Sequence, residues 1–408
     1  MNNKTLKDEV MFLNHKSLSD KLIVLLTIVL FSVFIILDMN PMISIVLIII
    51  TLSIFFISMV QRKFIFSPHI GSFHYRIGQF IIFCLLSSTW AYSANLAISK
   101  GLTVFEIFIC MSILYSHYYD KRNDEVLLKV IAISGTLIAV YCILHYGIST
   151  IFNLISTGGH LDGDIANQNS TGMICAFSFI ICIFYLFDNK IYSLFLIPLI
   201  LIVAASTSRK ALILLVIGTL SVLVIRAKSK NFIYSMLRII IIILFTILTL
   251  KIVMYLQLFS GVNERMEGLF SFLTGSGKID NSTILRQMMI KEGLAQFCKT
   301  PIFGIGIGNA GMLNIHGFRY LHNNFIELLA CGGILGLISY YSIYEYLIIN
   351  LIKLRKYSNL TTKLIFILII LMLIMDYGAV NYYDKSTYFF FMVFYLHVNY
   401  LKREYKKN

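Results

Sequence analysis

Three arginines and two histidines gather in one polar stretch of an otherwise apolar chain: Arg265, Arg286, His316, Arg319 and His322. The stretch runs from about Gln257 to Leu321 and ends in His322-Asn323-Asn324, at the mouth of an apolar helix. A guanidinium is a planar fork of donors that matches two phosphate oxygens at once, so this grouping points to a phosphate-bearing ligand. Histidine titrates near neutral pH, which makes His322 a candidate base or hydrogen-bond partner for a reacting hydroxyl, the plainer reading being an interfacial side chain. His316 and His322 are six residues apart, the wrong spacing for two ligands on one helical face, and no cysteine or carboxylate cluster completes a metal site. No nucleophile motif such as Gly-x-Ser-x-Gly occurs, and no cofactor is expected.

Other polar points lie outside that stretch or punctuate it. Asn167 and Asn169 close the segment from Gly147 to Gln168, where they can cap the next helix or, since a carboxamide both donates and accepts, bind a sugar. Ser206-Thr207-Ser208-Arg209-Lys210 is a small polar turn whose Arg209 either snorkels to the interface or holds an anion. Ser282 to Phe297 reads as a surface helix carrying Arg286 and Lys291 toward headgroups or substrate. The run Gly304-Ile305-Gly306-Ile307-Gly308-Asn309 is no nucleotide fingerprint, because no strand precedes it and its third glycine comes too soon; it suits a backbone that closely approaches a helix or substrate. Gly332, Gly333 and Gly336 suit tight helix packing. Glu327 lies about 140° round the helix from His322 and is not its obvious partner. Asp376 and Glu106 are intramembrane acids that call for polar partners.

The elements that must position these residues follow from composition. Of 408 residues, 58% are hydrophobic and 13% charged, with a mean hydropathy of +0.82, whereas a soluble domain is roughly 25% charged. The expected fold is an all-α polytopic membrane protein with about twelve transmembrane helices and a large extracytoplasmic loop containing short helices. The spans read as Leu22 to Leu37, Met42 to Val60, Ile77 to Leu96, Leu102 to Tyr118, Val126 to Tyr146, Asn169 to Phe187, Ile191 to Ser206, Ala211 to Ile225, Leu237 to Leu256, Asn323 to Ile349, Leu364 to Val380 and Thr387 to Tyr400. With the N-terminus inside, about two thirds of the 34 basic residues fall in cytoplasmic segments, as the positive-inside bias requires. The layout is then a cytoplasmic N-terminus at 1–21, nine helices at 22–256, an extracytoplasmic catalytic loop at 257–321, three helices at 322–400 and a cytoplasmic tail at 401–408. The net charge of +14 is a signal of topology and of attraction to membrane lipids; nothing suggests nucleic acid. No cleavable signal peptide or internal repeat is visible, and the seven cysteines form no Cys-x-x-Cys pair.

The order Asn167/Asn169, Ser-Thr-Ser-Arg-Lys at Arg209, a helix at Arg286, Pro-Ile-Phe-Gly-Ile-Gly-Ile-Gly-Asn, then His-Asn-Asn-Phe-Ile-Glu and Gly-Ile-Leu-Gly resembles the O-antigen polymerase and ligase superfamily of bacterial membrane glycosyltransferases. The resemblance covers roughly Gly163 to Leu337 and implies a GT-C-like enzyme of the cytoplasmic (inner) membrane, with both termini cytoplasmic. It implies a substrate carried on undecaprenyl pyrophosphate, an inverting, metal-independent transfer that builds O-antigen or capsule, and a chain-length regulator as partner. On it, Arg209 and Arg286 take the pyrophosphate and His322 the acceptor hydroxyl. Asn167, Asn169, Arg265, Arg319 and Asn323 are further substrate-binding candidates. A ligase of the same superfamily shares the donor and differs in acceptor. A flippase would instead show repeated halves and mid-membrane ionisable groups, and a structural scaffold would not gather arginine and histidine on one face.

Overall fold

The computed structural model describes residues 17–38, 40, 42–65, 69–121, 124–159, 161, 165, 167–227, 234, 236, 240–241, 244, 281–313 and 319–407. Arg265, His316 and nearly all of the span from Leu237 to Leu256 lie outside them. The described residues form thirteen α-helices and no strand. In chain order these are α1 (Leu18–Ile36), α2 (Ile43–Gln61), α3 (Ser72–Leu86), α4 (Ala94–Lys121), α5 (Asp124–Tyr146), α6 (Ile148–Thr157) and α7 (Gln168–Leu186). They continue with α8 (Tyr192–Ala205), α9 (Arg209–Arg226), α10 (Asn281–Lys299), α11 (Asn324–Lys353), α12 (Leu360–Asp376) and α13 (Lys385–Lys407). Six are long and apolar enough to cross a bilayer, namely α1, α2, α4 over Ala94–Tyr119, α5, α7 and α11. The chain is an integral, polytopic, all-helical membrane protein.

Three expectations change. The span read as Ile77 to Leu96 ends as α-helix at Leu86, and α4 starts at Ala94 rather than Leu102. The break is built by Ser87, Ser88 and Thr89, whose hydroxyls donate to the carbonyls of Cys84, Leu85 and Leu86 at 2.7 to 2.8 Å and so tighten the last turn. The segment from Gly147 to Gln168, read as a loop, folds α6, because Ile151 and Ile155 lie four apart and bury one face. The span read from Asn323 to Ile349 extends to Lys353 and is broken inside at Gly333.

The chain divides into two compact units, one of residues 1–67 and 125–266 and one of 68–124 and 267–408. In the first, α1 and α2 are an antiparallel hairpin, with Gln61 near the end of α2 donating to Asp20 of α1 at 2.9 Å. Gly135 lets α5 close on α7, since a Cβ there would lie 1.9 Å from Ser178 Oγ. In the second unit α13 is the core: from Tyr388 to Val398 every side chain is buried, as expected of a helix apolar on all sides. It runs parallel to α4 and α11. Lys100 of α4 lies 3.5 Å from the Tyr383 ring near one end of α13, and Arg403 lies 3.8 Å from the ring of Tyr119 near the other. Near that second end His397 bridges Asp124 at 2.5 Å and Thr362 at 2.9 Å.

Candidate functional site

A glycine ribbon and a broken helix make the scaffold of the second unit. Gly333 has φ +60 and ψ −163, which no helix tolerates, and the break frees backbone groups of α11. The segment from Pro301 to Ile305 satisfies them: Ile334 N–H donates to Pro301 O at 2.9 Å, Leu335 N–H to Ile302 O at 3.3 Å, and Ile305 N–H to Ala330 O at 3.1 Å. The other edge of the ribbon sits in the gap between α3 and α4. There Trp90 Nε1 donates to Phe303 O at 3.1 Å, Tyr92 N–H to Ile305 O at 3.1 Å, Ile307 N–H to Ser87 Oγ at 3.1 Å, and Ser93 N–H to Asn309 Oδ1 at 2.7 Å. The glycine run is therefore a close backbone approach to a helix, and the same ribbon explains why α3 stops where it does.

His322 sits where that scaffold meets the end of the polar stretch. It is half-buried and has φ +55, a left-handed conformation costing a residue with a Cβ about 1–2 kcal/mol. The neighbours on both sides are fixed. Glu327, 2% exposed, accepts the Leu321 N–H at 2.8 Å, and Asn323 caps α11 by accepting Ile326 N–H at 3.1 Å. The Tyr320 ring packs against the imidazole at 4.3 Å between centroids. Behind them Asn324 accepts the N–H groups of Asn381 and Tyr382 at 2.9 and 3.1 Å, while Asp376, fully buried, accepts Asn381 Nδ2 at 2.7 Å and Tyr341 OH at 3.0 Å. Asp376 thus has the polar partners an intramembrane acid needs. Glu106 is exposed and, with Asn95, Ser99 and Thr103, lines a cavity of about 330 Å³ on α4.

Positive charge converges on this turn. Arg286 is half-buried on α10 and acts electrostatically on Tyr320, whose hydroxyl is pushed above its ordinary range by burial and by Glu327, with Arg286 pulling the other way. The Tyr382 hydroxyl, 3.4 Å from Glu327, is likewise pushed far up, mainly by burial. Lys100 is within the electrostatic reach of both Glu327 and Lys385. Arg319 is exposed, and the side-chain oxygen of Asn323 accepts the Ile326 N–H as the cap of α11. The helix expected over Ser282 to Phe297 is present as α10, with Met289, Gly293 and Gln296 buried along one stripe. A Cβ on Gly293 would lie 2.4 Å from Ile326 Cγ2 and 2.8 Å from Leu321 Cδ1. Gly293→Val is therefore expected to push α10 off α11, costing about 1–3 kcal/mol of overpacking. The melting temperature of the purified variant should fall accordingly, and an unchanged melt would mean that α10 does not close on α11 at Gly293.

The first unit has its own polar cluster. Asn167 caps α7 by accepting Asn169 N–H at 2.9 Å, and Asn169 accepts a hydrogen bond from Ser208, the N-cap of α9, at 2.8 Å. Gly172 permits the approach, since its Cβ would lie 2.4 Å from Ser206 Oγ. Two helix N-termini, each a partial positive charge, thus lie side by side with Arg209 and Lys210 at the start of α9. Both asparagines have structural work here, capping for Asn167 and helix pairing for Asn169.

Comparison with known families gives a match over residues 194–341 to the family described as O-antigen ligase. Residues 194–341, about a third of the chain, are similar to that family. The resemblance to the O-antigen polymerase and ligase superfamily is borne out on those residues. A comparison with curated proteins gives no match. The matched segment takes in Arg209, Arg286, the glycine ribbon, His322, Glu327 and the break at Gly333, and leaves out Asn167, Asn169, Lys100 and the turn at Asn381. Lys100, Tyr320 and the anchoring by Glu327 escaped the sequence reading. Lys100 did leave a signal, as a basic residue between two spans on the expected outer side, where the charge bias disfavours it.

Proposed function

We propose that the protein is a polymerase of surface-polysaccharide repeat units, moving a growing glycan from undecaprenyl pyrophosphate to another lipid-linked repeat unit. In this reading it is a GT-C-like enzyme of twelve spans in the bacterial cytoplasmic membrane, with both termini inside and residues 257–321 outside. The observation that supports it is that Tyr320, in ring contact with His322 at the anchored N-terminus of α11, also lies within the electrostatic reach of Arg286. The acceptor hydroxyl attacks the anomeric carbon from the face opposite the pyrophosphate. A carbon–oxygen bond forms, the bond to the pyrophosphate oxygen breaks, and the configuration inverts. His322 orients the hydroxyl and takes its proton, which passes to solvent. Arg286 stabilises the negative charge that builds on the departing pyrophosphate. Arg209, with the two helix N-termini beside it, is an anion-binding residue of the first unit, and Asn167, Asn169, Arg319 and Asn323 remain glycan-contact candidates.

The description of the matched family favours a second reading, in which the same donor chemistry passes finished glycan to a different acceptor. The carrier lipid in cells lacking the protein separates the two. Single repeat units on external undecaprenyl pyrophosphate, with no ladder, are expected for the polymerase. Full-length chains stranded on the carrier would make it a ligase, and units trapped on the inner leaflet would make it a flippase.

A further inference from the structure

We propose that Glu327 is a positioning residue for His322, acting through the backbone of Leu321. The inference rests on the reading of His322 as the acceptor-side residue and adds the group that aims it. His322 is one residue hung between two fixed points. Before it, Leu321 is 1% exposed, with its side chain near the Gly293 face of α10 and its N–H held by Glu327 Oε2 at 2.8 Å. After it, Asn323 is locked as the cap of α11. The left-handed φ of +55 between them is a conformation that a histidine keeps only when its surroundings over-determine it.

Glu327 lies within the first turns of α11 and reaches back over its start, six residues along the chain. Leu321 N–H is buried ahead of the helix and has no carbonyl of α11 to bond, so the carboxylate supplies the acceptor. The carboxylate is held in turn. Tyr382 OH faces its other oxygen at 3.4 Å, and Tyr382 is tied to α11 through Asn324 at 3.1 Å. Lys100 is a cation that acts on it. A buried carboxylate is costly, and among the described residues the backbone donor it accepts from is the one that sets the histidine turn.

Three substitutions separate this role from general packing. Glu327→Gln keeps an acceptor oxygen at the same reach, Glu327→Asp withdraws it by one methylene, and Glu327→Leu removes it while filling the space. The first measurement needs no turnover: the rate at which diethyl pyrocarbonate modifies His322, read by peptide mass spectrometry on the full chain in lipid nanodiscs. The Gln variant should match the unsubstituted protein, and the Asp and Leu variants should depart from it several-fold. Equal rates in all four proteins would overturn the proposal.

The second measurement is turnover of lipid-linked repeat unit extracted from the producing strain that lacks this gene. Glu327→Leu should lose about 10²-fold, the scale of an ångström of misplacement, with donor KM unchanged and most turnover rescued in Glu327→Gln. In a His322→Ala background Glu327→Leu should cost nothing further, because its effect runs through the histidine. A second, additive loss there, or a Gln variant as poor as Leu, would assign Glu327 a separate role and overturn the proposal. Full turnover by His322→Ala alone would instead remove the acceptor-side reading of His322, leaving the modification rates to judge the anchoring by themselves.

Discussion

On the proposed reading, Arg286→Ala is expected to lower polymer formation by about 10²–10³-fold while the protein still inserts and accumulates, the loss that follows removal of one preorganised donor to a developing negative charge. The expectation follows from where the charge goes. In the ground state the pyrophosphate already carries its charge, but cleavage of the glycosyl bond adds charge on the bridging oxygen, so a guanidinium aimed there stabilises the transition state more than the bound donor. Arg286 stands on α10, whose Gly293 face closes on Leu321 and Ile326 at the start of α11. Arg286→Lys keeps a point charge and loses the planar fork, so it should recover only part of the rate. The measurement is the polysaccharide ladder of the producing strain, with turnover of extracted lipid-linked repeat unit by the purified variants. If Arg286→Ala builds a normal ladder at normal protein level, the charge-stabilising role is wrong and the half-buried arginine is a structural residue of α10.

Much of this arrangement was legible beforehand, and the parts that were not share a cause. Long apolar blocks announce membrane helices because a bilayer leaves the backbone few other options, so α1, α2, α5, α7, α8 and α9 fall within a few residues of their expected bounds. Asn167 as a helix cap and the close approach of the glycine run were readable from the local demands of a carboxamide and of a missing Cβ. The partner of that glycine run was not. Its seat is made by Trp90, Tyr92 and Ser93, more than two hundred residues earlier, and their pairing with the ribbon makes an apolar stretch around Leu86 give up its helix. Hydropathy sees neither half of such a bargain. The anchoring of His322 was missed for a related reason. Reading Glu327 on a helical wheel asks which side chains share a face, whereas the carboxylate reaches back past the helix start to a backbone N–H.

The ribbon also supplies the largest expected effect on folding, from a change of one carbon. Gly304→Ala is expected to leave little monodisperse protein in detergent. At Gly304 φ is +67, which costs an alanine about 1–2 kcal/mol by itself. The larger cost is contact. The added Cβ would lie 2.3 Å from Cys331 C and 2.4 Å from its carbonyl oxygen, and both belong to backbone that cannot swing aside as a flexible side chain does. Relief means lifting the ribbon from the break in α11, which leaves the N–H groups of Ile305, Ile334 and Leu335 without their acceptors. Each buried unmade bond costs about 1–3 kcal/mol, and a loss of that size summed over three is comparable with the whole stability of a domain, about 5–15 kcal/mol. Gly78→Ala is the matched control. A Cβ there meets nothing within 4 Å on α3, so alanine should raise the melting temperature slightly through its better helix propensity. Size-exclusion profiles and thermal melts of the two variants make the comparison. A Gly304→Ala protein that melts with the unsubstituted chain would mean that the ribbon does not seat in the break. The scaffold would then lose its claim to hold the helix start from which His322 is presented.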